Sequence, residues 1–292
     1  MSNVLKLSSS PHITSGAGVP AIMWQVVAAL VPVCAFAVFL FGLAAVMTLT
    51  TAVAACLVTE RLACRGDAST LCVGSVAVTG LIYGLTLPAD LPLWMTATGA
   101  VAGVLLGKVA FGGLGGNAFN PALVGRAFLQ AAFPAAMTHW PQAMSGERFT
   151  SLPDSLLALP AMAPAYDAIT SATPLAAWKF QGQAAEVSDL LIGMTTGSTG
   201  ETCALLILLG GLYLVFLRIV NWRIPAAIFL TAGVISALFN SIDPTQYPTP
   251  LFTLTTGGLM LGAVFMATDP VASPLSRAGA WLYGALIGVL VM

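Results

Sequence analysis

Long apolar runs, each close to twenty residues and separated by short turn sequences, constrain this chain more than any other feature. An α-helix needs about 20 apolar residues to cross roughly 30 Å of hydrocarbon. The runs lie at about 22–42, 43–60, 70–87, 93–110, 119–134, 202–218, 224–240, 251–268 and 278–292. They predict an all-α integral membrane protein with nine spans.

The charged residues support the same class. They make up 7% of the chain against 58% hydrophobic residues, whereas about 25% are charged in a typical soluble domain. Ten Lys and Arg residues against eleven Asp and Glu residues form no basic surface for nucleic acid. Two histidines, and five cysteines without a C-x-x-C pair, predict no metal site. Any redox chemistry would therefore need an organic cofactor.

Basic residues predict the orientation, because short cytoplasmic loops are enriched in Lys and Arg. They lie before the first span and at alternate turns: Lys6, Arg61, Arg65, Lys108, Arg218, Arg223 and Arg277. The N-terminus is then cytoplasmic and the polar insert near 135–186 is outside, provided that segment 187–200 enters and leaves on one face. That segment contains TTGSTGET, whose glycines and hydroxyls predict a re-entrant half-helix followed by a break.

Four regions follow from this orientation. Residues 1–20 form a cytoplasmic N-terminal tail, 21–134 a first transmembrane unit, 135–186 an extracytoplasmic loop, and 187–292 a second transmembrane unit. The first unit has five spans and the second has four plus the half-helix. We therefore expect a last helix to be missing from the second unit.

Polar residues interrupt the apolar sequence at three breaks: GGLGGNAFNP, GSTGET and FMATDPVASP. The candidate membrane-embedded polar site comprises Asn120, Arg126, Ser198, Glu201 and Asp269. Irregular backbone inside a membrane is tolerated only within protein or beside a cavity, so the breaks predict a central ligand or ion pathway. The structural alternative is that Asn120 and Asp269 are caps, Arg126 forms an ion pair, and Glu201 lies in the first turn of a helix.

The insert contains the stretch DAITSATPL. Asp167, Thr170 and Ser171 can form turn and capping contacts. Pro174 favours an extended conformation at Thr173, which presents its hydroxyl outward. From the residues alone, the stretch is either a plain turn or an attachment point.

The pattern Asp-x-x-Thr-x-Ala-Thr, formed by Asp167, Thr170, Ala172 and Thr173, resembles the flavinylation motif of the NqrB/RnfD family. Further blocks resemble the same family in the same order: GGLGGNAFNPALVGRAF, GSTGET, WRIP and GAVFMATDPVASP. The resemblance implies that Thr173 bears covalent FMN through a phosphoester. It also implies that a flavin transferase reads the motif, which includes Ser171.

The resemblance further implies a urea-transporter-like fold of two inverted five-helix units. The short N-terminal tail and SATPL are closer to the RnfD branch. That branch belongs to the Rnf complex of the bacterial cytoplasmic (inner) membrane, an ion-translocating oxidoreductase that couples electron transfer between ferredoxin and NAD⁺ to Na⁺ or H⁺ translocation. The implied partners are the other Rnf subunits. Some members also hold a second, noncovalent flavin (riboflavin).

Two alternatives remain open. The tripeptide NPA at 120–122 resembles the aquaporin pore motif, and with the broken helices it favours a passive channel or permease for a small neutral solute. The other alternative is an NqrB-type subunit of a Na⁺-translocating NADH:quinone reductase. A permease has no need of the motif ending at Thr173, whereas an electron carrier of this family requires it.

Overall fold

Helices form all the regular structure in the described part of the chain. The computed structural model describes residues 18–63, 73–160, 172–183 and 185–292. Its α-helices are α1 Val19–Phe41, α2 Leu43–Ala63, α3 Val73–Leu85, α4 Leu93–Gly107, α5 Pro121–Ala132, α6 Pro134–Met137, α7 Pro174–Gln181, α8 Val187–Ile192, α9 Ala204–Phe216, α10 Arg223–Ile242, α11 Pro250–Thr255, α12 Leu259–Leu261 and α13 Arg277–Val291. A π-helical turn, Gly262–Met266, follows α12. The predicted all-α membrane class is confirmed.

The apolar runs do not all form uninterrupted helices. Four described helices are long and apolar enough to cross a membrane: α1, α2, α4 with the turn that follows it to Phe111, and α10. Three shorter apolar helices, α3, α9 and α13, occupy further predicted runs. In the remaining two runs, α5 has only 12 residues and begins at Pro121, and the run 251–268 breaks at Gly257, whose φ is +66°. A continuous helix over 251–268 is therefore not formed, because left-handed backbone at Gly257 interrupts the helical ladder, whereas the crossing of a membrane by all nine runs stays a prediction.

Segment 187–200 has the predicted half-helix and break. Helix α8 ends at Gly193, whose φ is +93°, and the chain is not helical again until Ala204. That the segment enters and leaves on one face stays a prediction. The inverted, urea-transporter-like arrangement and the division into two transmembrane units also stay predictions.

Glycines allow α4 and α5 to pack closely. A Cβ atom added to Gly103 on α4 would lie 2.6 Å from the carbonyl oxygen of Pro121 and 3.1 Å from the Cα atom of Gly125 on α5. Small residues at such crossings let membrane helices approach until their backbones touch. The glycines in the apolar sequence therefore fix where α5 lies against its neighbours.

The polar insert packs onto one end of the helices. The N–H of Met144 donates to the carbonyl of Leu40 at 3.0 Å, and the N–H of Leu43 donates to the carbonyl of Arg148 at 2.9 Å. Nearby, the side chains of His139 and Asp90 approach at 2.7 Å between Nδ1 and Oδ2. We call this side of the molecule the insert end, and the side that holds Lys108 the opposite end.

A buried ion pair lies at the opposite end. The Nζ atom of Lys108 is 2.8 Å from both carboxylate oxygens of Glu60 and 3.1 Å from the hydroxyl of Ser75. Lys108 is 3% exposed and Glu60 is 4% exposed. From the sequence, Lys108 was interpreted as a loop cation and Glu60 was given no role. The structure corrects this, because a lysine without water needs a charged partner.

Candidate functional site

Helix α5 contributes to cavities at both ends of the molecule. Asn120, its cap, and Pro121, its first residue, line a cavity of about 80 Å³ at the opposite end. Arg126 lines a cavity of about 230 Å³ that we call the insert-end cavity. Asn120 and Arg126 are six positions apart, or about 9 Å along the helix axis at 1.5 Å per residue. The two cavities are therefore close but distinct.

The insert-end cavity gathers residues that are far apart in the sequence. It combines an aromatic ring, a charged pair, several hydroxyls and two adjacent glycines. Its lining includes Arg126, Trp140, Thr173, Thr195, Thr196, Glu201, Thr202, Thr255, Thr256, Gly257 and Gly258. The predicted attachment residue Thr173 and the predicted membrane residues Arg126 and Glu201 thus border the same space.

Thr173 is the N-cap of α7. Its backbone is extended, with φ −66° and ψ 156°, and Pro174 is the first helical residue. Its Oγ1 atom accepts a hydrogen bond from the N–H of Ala176 at 3.2 Å. The extended conformation was predicted correctly, but the hydroxyl is half-buried and caps a helix instead of facing freely outward. Threonine before an N-terminal proline, with Gly182 past the last turn, is a helix signature that sequence reasoning missed.

The rest of the motif lies mostly outside the described residues. Asp167, Thr170 and Ser171 are outside them, whereas Ala172 is described and exposed. Helix α7 is held in place by Trp178, whose indole N–H donates to the carbonyl of Gln246 at 3.4 Å and whose ring lies 6.0 Å from that of Phe252. This contact fixes Thr173 at the cavity.

Arg126 and Glu201 form an ion pair at the cavity wall. The Nη1 atom of Arg126 is 3.3 Å from Oε1 of Glu201 and also donates to the carbonyl of Thr86 at 3.0 Å. Their side chains are 31% and 12% exposed. The structural alternative placed Glu201 in the first turn of a helix, but α9 begins only at Ala204, so Glu201 lies in the break before it.

The break before α9 completes the end of α3. The N–H of Gly200 donates to the carbonyl of Leu85 at 2.7 Å, and both the N–H and the hydroxyl of Thr199 donate to the carbonyl of Leu87, at 3.0 and 2.6 Å. With the bond from Arg126, three successive carbonyls have donors: that of Leu85, the last residue of α3, and those of Thr86 and Leu87 after it. Glu201 is held away from α9 because the residues before it are committed to α3.

The other predicted polar residues lie elsewhere. Asn120 accepts from the N–H of Ala122 at 3.0 Å and donates to the carbonyl of Met266 at 3.4 Å. Asp269 accepts from the N–H of Val271 at 3.1 Å and lines the opposite-end cavity with Asn120. Ser198 is fully buried, lines neither cavity, and its hydroxyl has no partner among the described residues. The five residues predicted as one site are thus split, because α5 places Asn120 and Arg126 in different cavities.

Sequence reasoning missed three parts of the insert-end cavity. Trp140 is an unremarkable residue of the insert, and nothing in its neighbourhood predicts that it lies beside Arg126. The Gly257–Gly258 pair could have indicated a break. A Cβ atom on Gly258 would lie 2.8 Å from Oε1 of Glu201, so this glycine leaves space for the carboxylate.

Known proteins resemble the chain over nearly its whole length. The model of the NQR2, RnfD, RnfE family matches residues 6–292. The D component of the proton-translocating ferredoxin:NAD(+) oxidoreductase complex of Clostridium ljungdahlii is 36% identical, with 99% of this chain and 85% of the relative covered. The D component of the Na(+)-translocating ferredoxin:NAD(+) oxidoreductase complex of Acetobacterium woodii is 35% identical, with 99% and 84% covered. The B component of the Na(+)-translocating NADH-quinone reductase of Pseudomonas paraeruginosa is 42% identical, with 74% and 51% covered.

Proposed function

Because the chain belongs to the NQR2, RnfD, RnfE family, we propose that it is the RnfD subunit of an Rnf complex and carries FMN on Thr173. In this role it is one subunit of an ion-translocating oxidoreductase that exchanges electrons between ferredoxin and NAD⁺. Its partners are the other subunits of that complex and, during maturation, a flavin transferase. It lies in a bacterial inner membrane with the insert end on the outer side.

The share of each relative that aligns with this chain favours an RnfD role over an NqrB role in the quinone reductase. The two relatives from ferredoxin:NAD(+) oxidoreductase complexes match 99% of this chain and most of their own length. The relative from the quinone reductase is slightly more identical, but the match leaves about half of that relative uncovered. One of the first two relatives is named for protons and the other for Na⁺, so the translocated ion is either of these.

The position of Thr173 beside the insert-end cavity is the observation that carries the proposed flavin site. A phosphodiester on its Oγ1 atom would lie at the N-terminus of α7, where free N–H groups favour an anion. Trp140 offers an aromatic face, and Arg126 and the threonine hydroxyls offer polar contacts. At about 230 Å³, the cavity is smaller than the roughly 300 Å³ of the smallest pockets for drug-sized ligands. It therefore fits part of FMN, with the rest reaching towards a partner subunit.

The protein and the cofactor have different roles. Bound FMN supplies the electron-carrying chemistry, while the protein supplies position and electrostatics. The covalent bond to Thr173 holds the flavin at high effective concentration beside the next carrier. Helix α7, fixed through Trp178, keeps that bond at the cavity.

The polar residues at the two cavities belong to the proposal as groups that contact a flavin or the translocated cation. Arg126 and Glu201 serve at the insert end, and Asn120 and Asp269 serve at the opposite end. Ser198 lines neither cavity, so its role as a site residue stays a prediction that rests on its buried hydroxyl alone. Neutral replacements at Arg126, Glu201 and Asp269 that all leave coupled ion transport unchanged would exclude this role.

A second, noncovalent flavin such as riboflavin is part of the proposal without an assigned cavity. Denaturing the purified protein separates the two kinds of flavin, because only the covalent one stays with the chain. We expect one retained flavin per chain. A further flavin released into the supernatant would establish the second cofactor.

In-gel flavin fluorescence of the denatured protein, coexpressed with a flavin transferase, tests the proposed attachment. Wild type is expected to fluoresce and Thr173→Ala is expected to be dark. Thr249→Ala is the matched control, because Thr249 also caps a helix before a proline, with its Oγ1 accepting from the N–H of Phe252. It loses the same kind of cap outside the motif and should keep the fluorescence.

Two results would contradict the proposal. Fluorescence that survives Thr173→Ala places the flavin on another residue. A dark wild-type band in the presence of the transferase favours a passive permease, for which the cavities at both ends of α5 are the supporting observation. An NqrB-type subunit would instead copurify with NADH:quinone activity.

A further inference from the structure

The guanidinium group of Arg126 has unused hydrogen-bonding capacity. Its Nη1 atom serves the carbonyl of Thr86 and the carboxylate of Glu201. An arginine has five N–H donors, and the three on Nε and Nη2 have no acceptor in the described ranges. The side chain is 31% exposed and borders the cavity that Thr173 also lines. A cation with free donors beside a proposed flavin attachment point can bind an electron-rich edge of that flavin.

From this juxtaposition we infer that Arg126 is a positioning residue that sets the redox potential of the flavin on Thr173, and that Glu201 offsets its charge. The inference rests on the proposed function. The planar guanidinium suits the carbonyl and nitrogen acceptors along one edge of the flavin ring. A positive charge near these atoms changes the electronics of the ring.

The sign of the effect follows from the charges. Two electrons, supplied by a redox protein in the complex or by dithionite in vitro, and one proton from water convert the neutral oxidised ring into an anionic reduced ring. Arg126 stabilises the anionic form, and Glu201 destabilises it. Both interactions are stronger in a partly water-excluded cavity than in bulk water. The pair therefore acts as two opposed contributions to one potential.

The fold holds the guanidinium in place. The Nη1 bond to Thr86 ties Arg126 to the end of α3, and the adjacent carbonyls are held by Gly200 and Thr199. Gly258 leaves space for the carboxylate of Glu201. Because the contact with Thr86 fixes Arg126 from outside the cavity and Arg126 in turn holds Glu201, their charges stay at the flavin site in either redox state.

Redox titration of the flavinylated protein, followed by visible absorbance, tests the inference. Arg126→Gln is expected to lower the midpoint potential by about 30 mV or more, which for two electrons is a tenfold shift towards the oxidised form. Glu201→Gln is expected to raise it, and the double variant should lie between the two. Arg126→Lys retains the charge and should shift less than half as far as Arg126→Gln. Arg148→Gln removes an insert-end arginine that does not line the cavity and should leave the potential unchanged.

The same samples separate failure of the inference from failure of the proposed function. A dark wild-type band in the gel assay means that Thr173 carries no flavin, and the proposed function fails first. If the flavin is present and Arg126→Gln and Glu201→Gln both leave the midpoint potential unchanged, or both shift it in the same direction, the inference alone is overturned. An Arg126→Lys shift as large as that of Arg126→Gln also overturns it. If Arg126→Gln loses its flavin, the Glu201→Gln and Arg126→Lys titrations decide the question.

Discussion

Replacing Lys108 with methionine tests how the buried ion pair contributes to stability. Lys108 and Glu60 are 3% and 4% exposed, and Nζ lies 2.8 Å from both carboxylate oxygens. Methionine keeps much of the side-chain length but leaves the carboxylate with no cation. Removing one partner of a buried pair typically costs about 3–5 kcal/mol, because the remaining charge is left without water or a counter-charge.

Thermal unfolding in detergent, followed by tryptophan fluorescence, measures this loss. One kcal/mol corresponds to roughly 2–4 °C for proteins of 150–250 residues, so Lys108→Met should lower Tm by about 6–20 °C. The double variant Lys108→Met/Glu60→Gln removes both charges and should recover most of the loss, because uncharged replacements of a buried pair are often neutral.

Lys179→Met is the control for the change of residue type. Lys179 lies on α7, and its ammonium lies 5.7 Å from the ring of Phe180. Surface substitutions usually change stability by less than about 0.5 kcal/mol, so Tm should stay near the wild-type value. The reasoning is refuted if Lys108→Met and Lys179→Met melt together, or if the double variant is no more stable than Lys108→Met.

Two further predictions concern a close contact between helices and a carboxylate at the end of a helix. Gly103→Ala should destabilise the protein by about 1–3 kcal/mol, the usual cost of overpacking, because the new Cβ atom would lie 2.6 Å from the carbonyl oxygen of Pro121. Gly262→Ala is the control, because a Cβ atom there would have no atom within 4 Å. It should be neutral or stabilising in the same melting assay. Hydrogen bonds from Thr245 and Gln246 hold the pKa of Asp243 below its ordinary 3.8, so the stabilisation is present above pH 3.8 and is lost as pH falls through the lowered pKa. Acid titration by tryptophan fluorescence should show a step in wild type that Asp243→Asn lacks, because Trp178 bonds to Gln246.

Patterns that are local in the sequence predicted local structure. The Asn-Pro pair at 120–121 predicted the start of α5, and Asn120 is its cap. The glycines and hydroxyls of TTGSTGET, residues 195–202, predicted the break before α9. The run predicted at 119–134 exceeds α5 by two residues at each end, because Asn120 is a cap outside the helix and Phe133 precedes the new helix that begins at Pro134.

The sequence did not predict which residues pair across long sequence distances. The structural alternative gave Arg126 an ion pair without naming its partner; that partner, Glu201, lies 75 residues away, and only packing of the broken helices brings the two together. Lys108 was placed in a loop because its position after a span is typical of one, and the 48 residues to Glu60 hide the pair. A single sequence specifies which residues need partners more readily than it specifies the partners.

The end of α3 has a consequence for biosynthesis. The carbonyl of Leu87 receives its donors from Thr199, which is 112 residues further along the chain. The carbonyls of Leu85 and Thr86 likewise receive their hydrogen-bond donors from residues translated later, Gly200 and Arg126. An unsatisfied carbonyl in hydrocarbon costs several kcal/mol, so water or the insertion machinery must cover the carbonyls of Leu85 and Leu87 until residues 199–200 have been synthesised. The membrane insertion of this chain therefore includes a late docking step, in which residues 199–200 complete a helix that was translated long before them.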